Sequence, residues 1–289
     1  MRFALLAPLA ALASGTALLA VASPALADHH AEAAAPTLDE VLADERRDGD
    51  RARDQYRNPK ETLAFFGIEP GMTVAEYGPG SGWYTRVLAP WLMPQGKYIA
   101  FNLDSDGQTY RSRAQEARAK GWTEDFKTGM AEAFGVVADT VTAFETDEMP
   151  EEVAGTVDRV VIFRSMHGLN NGNNADTVLK TVRTMLKPDG MVGVVQHRAP
   201  EGATYDDYGA RQRGYMRTQD VVAIFEANGF ELVSSSEINA NPNDPADWEG
   251  GVWTLPPSLG FGRQTPEEQA RHNAIGESDR MTLLFRKAN

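Results

Sequence analysis

Between residues 71 and 197, short apolar runs alternate with segments of helical period. The runs are "MTVAEY", "KYIAFNL", "TVTAFET", "DRVVIF" and "MVGVVQH". A long polar helix from about Tyr110 to Gly121 and the amphipathic "NADTVLKTVRTML" fall between them, and "LKPDG" reads as a turn before the fifth run. Such alternation predicts an α/β chain with a parallel sheet. Val160-Val161-Ile162-Phe163 shows no polar alternation, so its strand is buried on both sides and helices cover both faces. Beyond residue 197 the pattern changes. "QDVVAIFEAN" is a helix with Thr218 as its cap and Gly229 as its stop. "FELVSSSEI" and "RMTLLFRK" follow without a helical crossover, so they form an antiparallel pair. The expectation is a single domain with seven strands, mostly parallel, ending on an antiparallel strand. The connection 239–280 reads as a long loop with four prolines and with Trp248 and Trp253, and loops of that length are usually functional or disordered.

Upstream, "LDEVLADERRDGDRARDQYRNP" is charged and helix-like, and Pro59 opens a second helical run, "KETLAFFGI". The first residues have a different character. Arg2 precedes an Ala- and Leu-rich stretch that closes on Pro24-Ala25-Leu26-Ala27, where Ala25 and Ala27 match a signal-peptidase site. The expectation is a signal peptide over 1–27, a flexible stalk over 28–37, a domain over 38–289, and a periplasmic or secreted location. Removing 27 of the 289 residues leaves 262, enough for one sizeable core. Arg2 is the leader's only charge, so the formal −13 of the whole chain becomes −14. That balance argues against nucleic acid as a partner, and no second membrane segment is expected. The absence of cysteine excludes disulfides and thiolate metal sites, and no metal is expected in the domain. A cut after Ala27 would leave Asp28-His29-His30 at the new terminus, a nitrogen set suited to Cu(II) or Ni(II).

"VAEYGPGSGWYT" places Gly78, Gly80 and Gly82 alternately, straight after a strand and before a helix. Strand, glycine turn and helix let backbone N–H groups approach a ligand closely. The dinucleotide fingerprint would need glycine at position 83, which is Trp83, and no G-K-[ST] triplet follows for a P-loop. Asp104 lies 22 positions after Gly82, near the end of the second strand, where a ribose hydroxyl is commonly held.

A G-x-G-x-G loop preceded by Glu76 resembles motif I of the class I S-adenosylmethionine-dependent methyltransferases. "LKPDG" before "MVGVVQH" is similar to the turn before that superfamily's fifth strand, and the final pair to its sixth and seventh. "GIEPGMTVAEYGPGSGWYT" with "DRVVIFRSMHGLN" further resembles an exported bacterial branch of predicted methyltransferases. The resemblance spans about residues 57 to 287 and implies a Rossmann-like methyltransferase domain that uses S-adenosyl-L-methionine on a small molecule. It implies that Glu76, Tyr77, Gly78, Pro79, Gly80 and Gly82 enclose the cofactor's amino-acid end. The ribose acid normally ends the second strand, where this chain has Asn102, so Asn102 and Asp104 both stand as ribose candidates. The resemblance also makes Glu145 and Asp147, in "ETDEMPEE" after the third strand, candidates for the adenine amino group, with a solvated acidic loop as the other reading.

Methyl transfer from a sulfonium needs alignment, exclusion of water and sometimes a base. His167 and His197 follow the fourth and fifth strands, at the edge where open α/β sheets bind ligands. His167 is the expected base, and Arg164 beside it is suited to orienting a carboxylate of the cofactor or of an anionic substrate. Tyr56 and Arg57 could close over the cofactor's carboxylate, although surface ion pairing is the plainer role for Arg57. Trp248 and Trp253 suit a lid or plain packing. The alternative function is an exported, non-catalytic binding protein that keeps the fold and its pocket.

Overall fold

A computed structural model describes residues 35–208, 213–260 and 262–288. The leader, its cleavage site, residues 28–34 of the stalk and the Asp28-His29-His30 set lie outside the described residues.

Among the described residues seven strands form one sheet: β1 (Thr73–Tyr77), β2 (Lys97–Asn102), β3 (Thr142–Glu145), β4 (Val157–Phe163), β5 (Leu186–His197), β6 (Phe230–Ser236) and β7 (Arg280–Lys287). Their order is β3-β2-β1-β4-β5-β7-β6. The first five run parallel, and β7 is antiparallel to both β5 and β6. The expected mostly parallel sheet with an antiparallel last strand is therefore present. Chain order reverses at β1, whose neighbours are β2 and β4, so the carboxyl ends of β1 and β4 border the crevice where such sheets bind ligands.

The helices are α1 (Leu38–Ala43), α2 (Asp54–Arg57), α3 (Pro59–Phe65), α4 (Thr85–Leu92), α5 (Arg113–Lys120), α6 (Trp122–Phe134), α7 (Met166–Asn171), α8 (Ala175–Met185), α9 (Tyr205–Tyr208), α10 (Thr218–Ala227) and α11 (Pro266–Ile275). Alternate strand residues feed two cores. Val74, Ala100 and Val161 pack with Leu63, Leu88 and Met130 from α3, α4 and α6 on one face. Ala75, Ile99 and Ile162 pack with Val178, Leu179 and Phe225 from α8 and α10 on the other. Both faces of the central strands are covered, which is why those strands read as continuous apolar runs.

Several expectations need correcting. The charged segment after residue 38 is not one helix. It breaks into α1, two 3-10 turns and α2, and two of its arginines, Arg47 and Arg57, turn inward to pair with Asp54 and Glu277, while Arg46 and Arg51 stay exposed. The polar helix expected from Tyr110 starts at Arg113, and α6 follows it directly. Thr218 is the first residue of α10 rather than its cap, which is Arg217, while Gly229 ends the helix at φ +76°. "LKPDG" lies within β5 as a bulge: from the Val157–Leu186 pair to the Arg159–Met191 pair, β4 advances two residues and β5 five. The connection 239–280 is not structureless. It holds a 3-10 turn, Gly251–Thr254, and α11, which opens on a Thr265–Glu268 capping box, and residue 280 already belongs to β7.

One glycine in the sheet marks a close approach. A Cβ on Gly193 in β5 would lie 2.5 Å from ring carbons of Phe66, which is itself fully buried behind α3. Gly193→Ala is expected to cost about 1–3 kcal/mol, read as a lower urea midpoint at unchanged m-value, since the ring has no free space to enter.

Candidate functional site

The loop between β1 and α4 is built on positive φ angles. Gly78, Gly80 and Gly82 sit at +56°, +59° and +76°, a region that other residues enter only under strain. Gly78 N–H donates to the Phe101 carbonyl of β2, and Gly82 N–H to the Pro79 carbonyl, which folds the loop back on itself. A Cβ on Gly80 would meet only the Gly78 carbonyl, at 3.9 Å, so that position faces open space.

Trp83 and Tyr84 anchor the loop from below. Tyr84 precedes α4 and stacks on Phe163 at the end of β4, with ring centroids 3.4 Å apart. The buried Trp83 ring has the Arg57 guanidinium 4.6 Å from its centroid and that of Arg47 at 5.1 Å. Asp50 pairs with Arg86 of α4 at 2.6 Å. The arginine-rich segment before α3 therefore clamps the glycine loop, and Arg57 is a buried residue rather than a surface one.

A cavity of about 210 Å³ opens beside this loop, lined by Glu76, Gly78, Gly80, Arg164 and Ser165 among others. Glu76 is buried, and one of its oxygens, Oε2, accepts from Tyr98 Oη at 2.6 Å and Thr85 Oγ1 at 3.0 Å. Burial is the larger influence and raises its pKa to about 7, although both hydroxyls favour the ionised form. Tyr77 is buried, and desolvation raises its pKa as well. Arg164 sits at φ +56°, a conformation that costs a non-glycine residue about 1–3 kcal/mol and is characteristic of ligand clamps. Its backbone N–H donates to the Val195 carbonyl at 2.6 Å, which ties the turn to β5. Nη1 of Arg164 is buried without a hydrogen-bond partner. Burial first, and then the charge of Arg280, lower the Arg164 pKa to about 10.

A second cavity, of about 270 Å³, adjoins the first and shares Arg164 and Ser81 with it. Its walls bring together His167 from α7, His197 from β5, Arg53 and Arg57 from the amino-terminal clamp, and Trp253 and Glu277 from the last connection. The two imidazole centroids are 5.7 Å apart. His167 Nδ1 is within 3.5 Å of the Gln196 side-chain amide, and His197 Nδ1 shares a 2.6 Å hydrogen bond with Ser278 Oγ. Burial lowers the pKa of His167, and more strongly that of His197, so both rings are neutral near pH 7.

The acidic candidates lie on the other side of the loop. Asn102 ends β2 opposite Glu145 of β3, and its Oδ1 accepts from Leu103 N–H. Asp104 Oδ1 accepts from Asp106 N–H, and Glu145 Oε2 from Ser105 N–H, both at 2.7 Å. Asp104, Glu145 and the exposed Asp147 each place an oxygen within 4.8 Å of the others. Trp248 packs elsewhere, with Nε1 donating to Asp244 and its ring 5.1 Å from that of His272.

Sequence reasoning did not reach Arg53, Glu277 and Ser278. Each sits in a segment that reads as charged or as loop, and they meet only because β7 brings residues 277–278 next to the clamp. The Arg-rich run before Pro59 was the available signal.

No family model matches the chain, and no curated protein sequence does. Among solved structures, geranyl diphosphate C-methyltransferase from Streptomyces coelicolor A3(2), crystallised with Mg2+, geranyl diphosphate and S-adenosyl-L-homocysteine, superposes with a TM-score of 0.52 at 11% identity over 86% of this chain and 84% of its own. A SAM-dependent methyltransferase from Aquifex aeolicus superposes at 0.46 with 18% identity, over 71% of this chain and 94% of its own. The fold is that of the Rossmann-like methyltransferases. Among the described residues no helix is long and apolar enough to cross a membrane.

Proposed function

We propose that the chain is an S-adenosylmethionine-dependent methyltransferase acting on a small molecule. The observation that carries this reading is the first cavity. Three positive-φ glycines open backbone onto it, and the same wall holds a buried carboxylate and a guanidinium with a free nitrogen. That donor set fits the two charges of an amino-acid end: Arg164 for its carboxylate, Glu76 for its ammonium. Tyr77 and Pro79 complete the loop, Asn102 and Asp104 are the candidates for the ribose, and Glu145 and Asp147 for the adenine. The solved relative bound to S-adenosyl-L-homocysteine supports the same choice.

When bound, the cofactor supplies a methyl group already activated on a sulfonium. What remains for the protein is alignment and a proton. Arg164 and Ser81 lie where the two cavities meet, so an acceptor in the second cavity approaches the methyl group there. Neutral His167, oriented by Gln196, takes the proton that the acceptor loses.

Calorimetric titration with S-adenosyl-L-homocysteine tests the reading, with Gly80→Leu as the variant. A side chain at 80 occupies the open space of the loop, so affinity should fall at least about tenfold while circular dichroism stays near wild type. Unchanged affinity would remove the cofactor assignment. His167→Ala should leave that affinity intact and lower turnover by about a hundredfold, the low end for loss of a general base because the electrophile is already activated. Equal turnover would make His167 a structural residue.

A further inference from the structure

Arg57 Nη1 and Arg164 Nη1 are both buried without a hydrogen-bond partner, and both residues line the second cavity. A buried donor left unmade is costly, so each calls for an acceptor: for Arg164, at the junction with the first cavity, the cofactor's carboxylate, and for Arg57 a group in the second cavity. Arg57 is 3% exposed, and its Nε is committed to Glu277 at 3.1 Å. The same carboxylate also receives Arg53 at 2.6 Å and Arg280 at 3.2 Å. Three guanidiniums therefore converge on one carboxylate, Arg164 stands on the same wall, and among the described residues Glu277 is the one acid that lines the cavity. Trp253, 40% exposed, lines the same cavity and adds apolar surface to its wall.

We propose that this cavity binds the oxyanion of the methyl acceptor, a carboxylate or phosphate held by Arg57 while Arg164 keeps the cofactor's carboxylate, on a molecule whose apolar part meets Trp253. Planar guanidinium forks suit either oxyanion. The space holds the equivalent of about nine waters, which bounds the buried part of the acceptor to a small group. That the anion belongs to a methyl acceptor rests on the methyltransferase reading; that the cavity binds an anion does not.

The test uses the described chain with benzoate and inorganic phosphate as probes, each against chloride at matched ionic strength. At least one probe should raise the melting temperature saturably. Arg57→Lys keeps a charge beside Glu277 but loses the fork, and should weaken that probe about tenfold or more. Should this variant fail to fold, Ser258→Trp at the exposed rim fills the cavity without touching the ion cluster and should abolish the effect. No stabilisation of wild type by either probe, or equal stabilisation of Ser258→Trp, overturns the proposal. Response to one probe alone assigns the oxyanion as carboxylate or phosphate. S-adenosyl-L-homocysteine is titrated in parallel. Its binding without an anion effect refutes the oxyanion site alone, and an anion effect without its binding refutes the cofactor reading alone.

Discussion

Glu277→Ala should lower the stability of the folded chain by about 3–5 kcal/mol, the usual cost of removing one partner from a buried ion pair. The carboxylate is 4% exposed and pairs with Arg53, Arg57 and Arg280, so its loss leaves three guanidiniums without their counterion rather than one. Arg57 and Arg280, at 3% and 2% exposure, cannot turn out to water. For a chain of this length the midpoint of thermal unfolding should drop by about 5–10 °C. Glu277→Gln separates charge from hydrogen bonding: it keeps one acceptor oxygen and should fall between wild type and the alanine variant. Phosphate should recover more of the loss in Glu277→Ala than it adds to wild type, because an external anion then replaces the missing one. A loss below about 1 kcal/mol would be that of an exposed pair and would contradict the burial of this cluster.

This cluster marks where the sequence stops being legible. Val160 to Phe163 announce a strand buried on both faces by their own side chains, and "RMTLLFRK" after "FELVSSSEI" announces an antiparallel pair by the lack of a helix between them. Local pattern suffices there because burial on a sheet has period two and turns are made by neighbours. The glycine loop is legible for the same reason: Gly78, Gly80 and Gly82 are needed by the backbone of that loop alone. Arg57 is different. Nothing within twenty residues distinguishes a solvated arginine from a buried one, and its counterion lies 220 positions away. Long charged side chains are read as surface by default, and only the fold shows which of them meet a partner. The loop 239–280 fails in the same way, since Trp253, Glu277 and Ser278 take their meaning from the β4 and β5 ends they cover.

At pH 8 the Glu76→Gln protein should be more stable than wild type, by up to about 3 kcal/mol, and the advantage should vanish as the pH falls toward 4.5. Burial raises the Glu76 pKa from its ordinary 4.5 to about 7. Below pH 4.5 the side chain is neutral in both folded and unfolded chains, and its contribution to stability is fully present. Between 4.5 and 7 the folded chain keeps a proton that the unfolded chain gives up. Stability is lost progressively across that window, and above about 7 the folded chain carries a buried carboxylate in full. Glutamine is neutral throughout, and its amide oxygen can still accept from Tyr98 Oη and Thr85 Oγ1. Urea midpoints of both proteins at pH 5 and pH 8 measure the difference. A gap that does not change with pH would show that Glu76 does not titrate in this window. The same substitution should weaken S-adenosyl-L-homocysteine, because the ligand's ammonium loses its anionic partner in the glycine-loop cavity. A carboxylate that costs stability when empty and gains a cation when loaded is the pattern of a site kept for binding at the expense of the fold. Higher stability with undiminished ligand affinity would break that link and move the ammonium elsewhere in the loop.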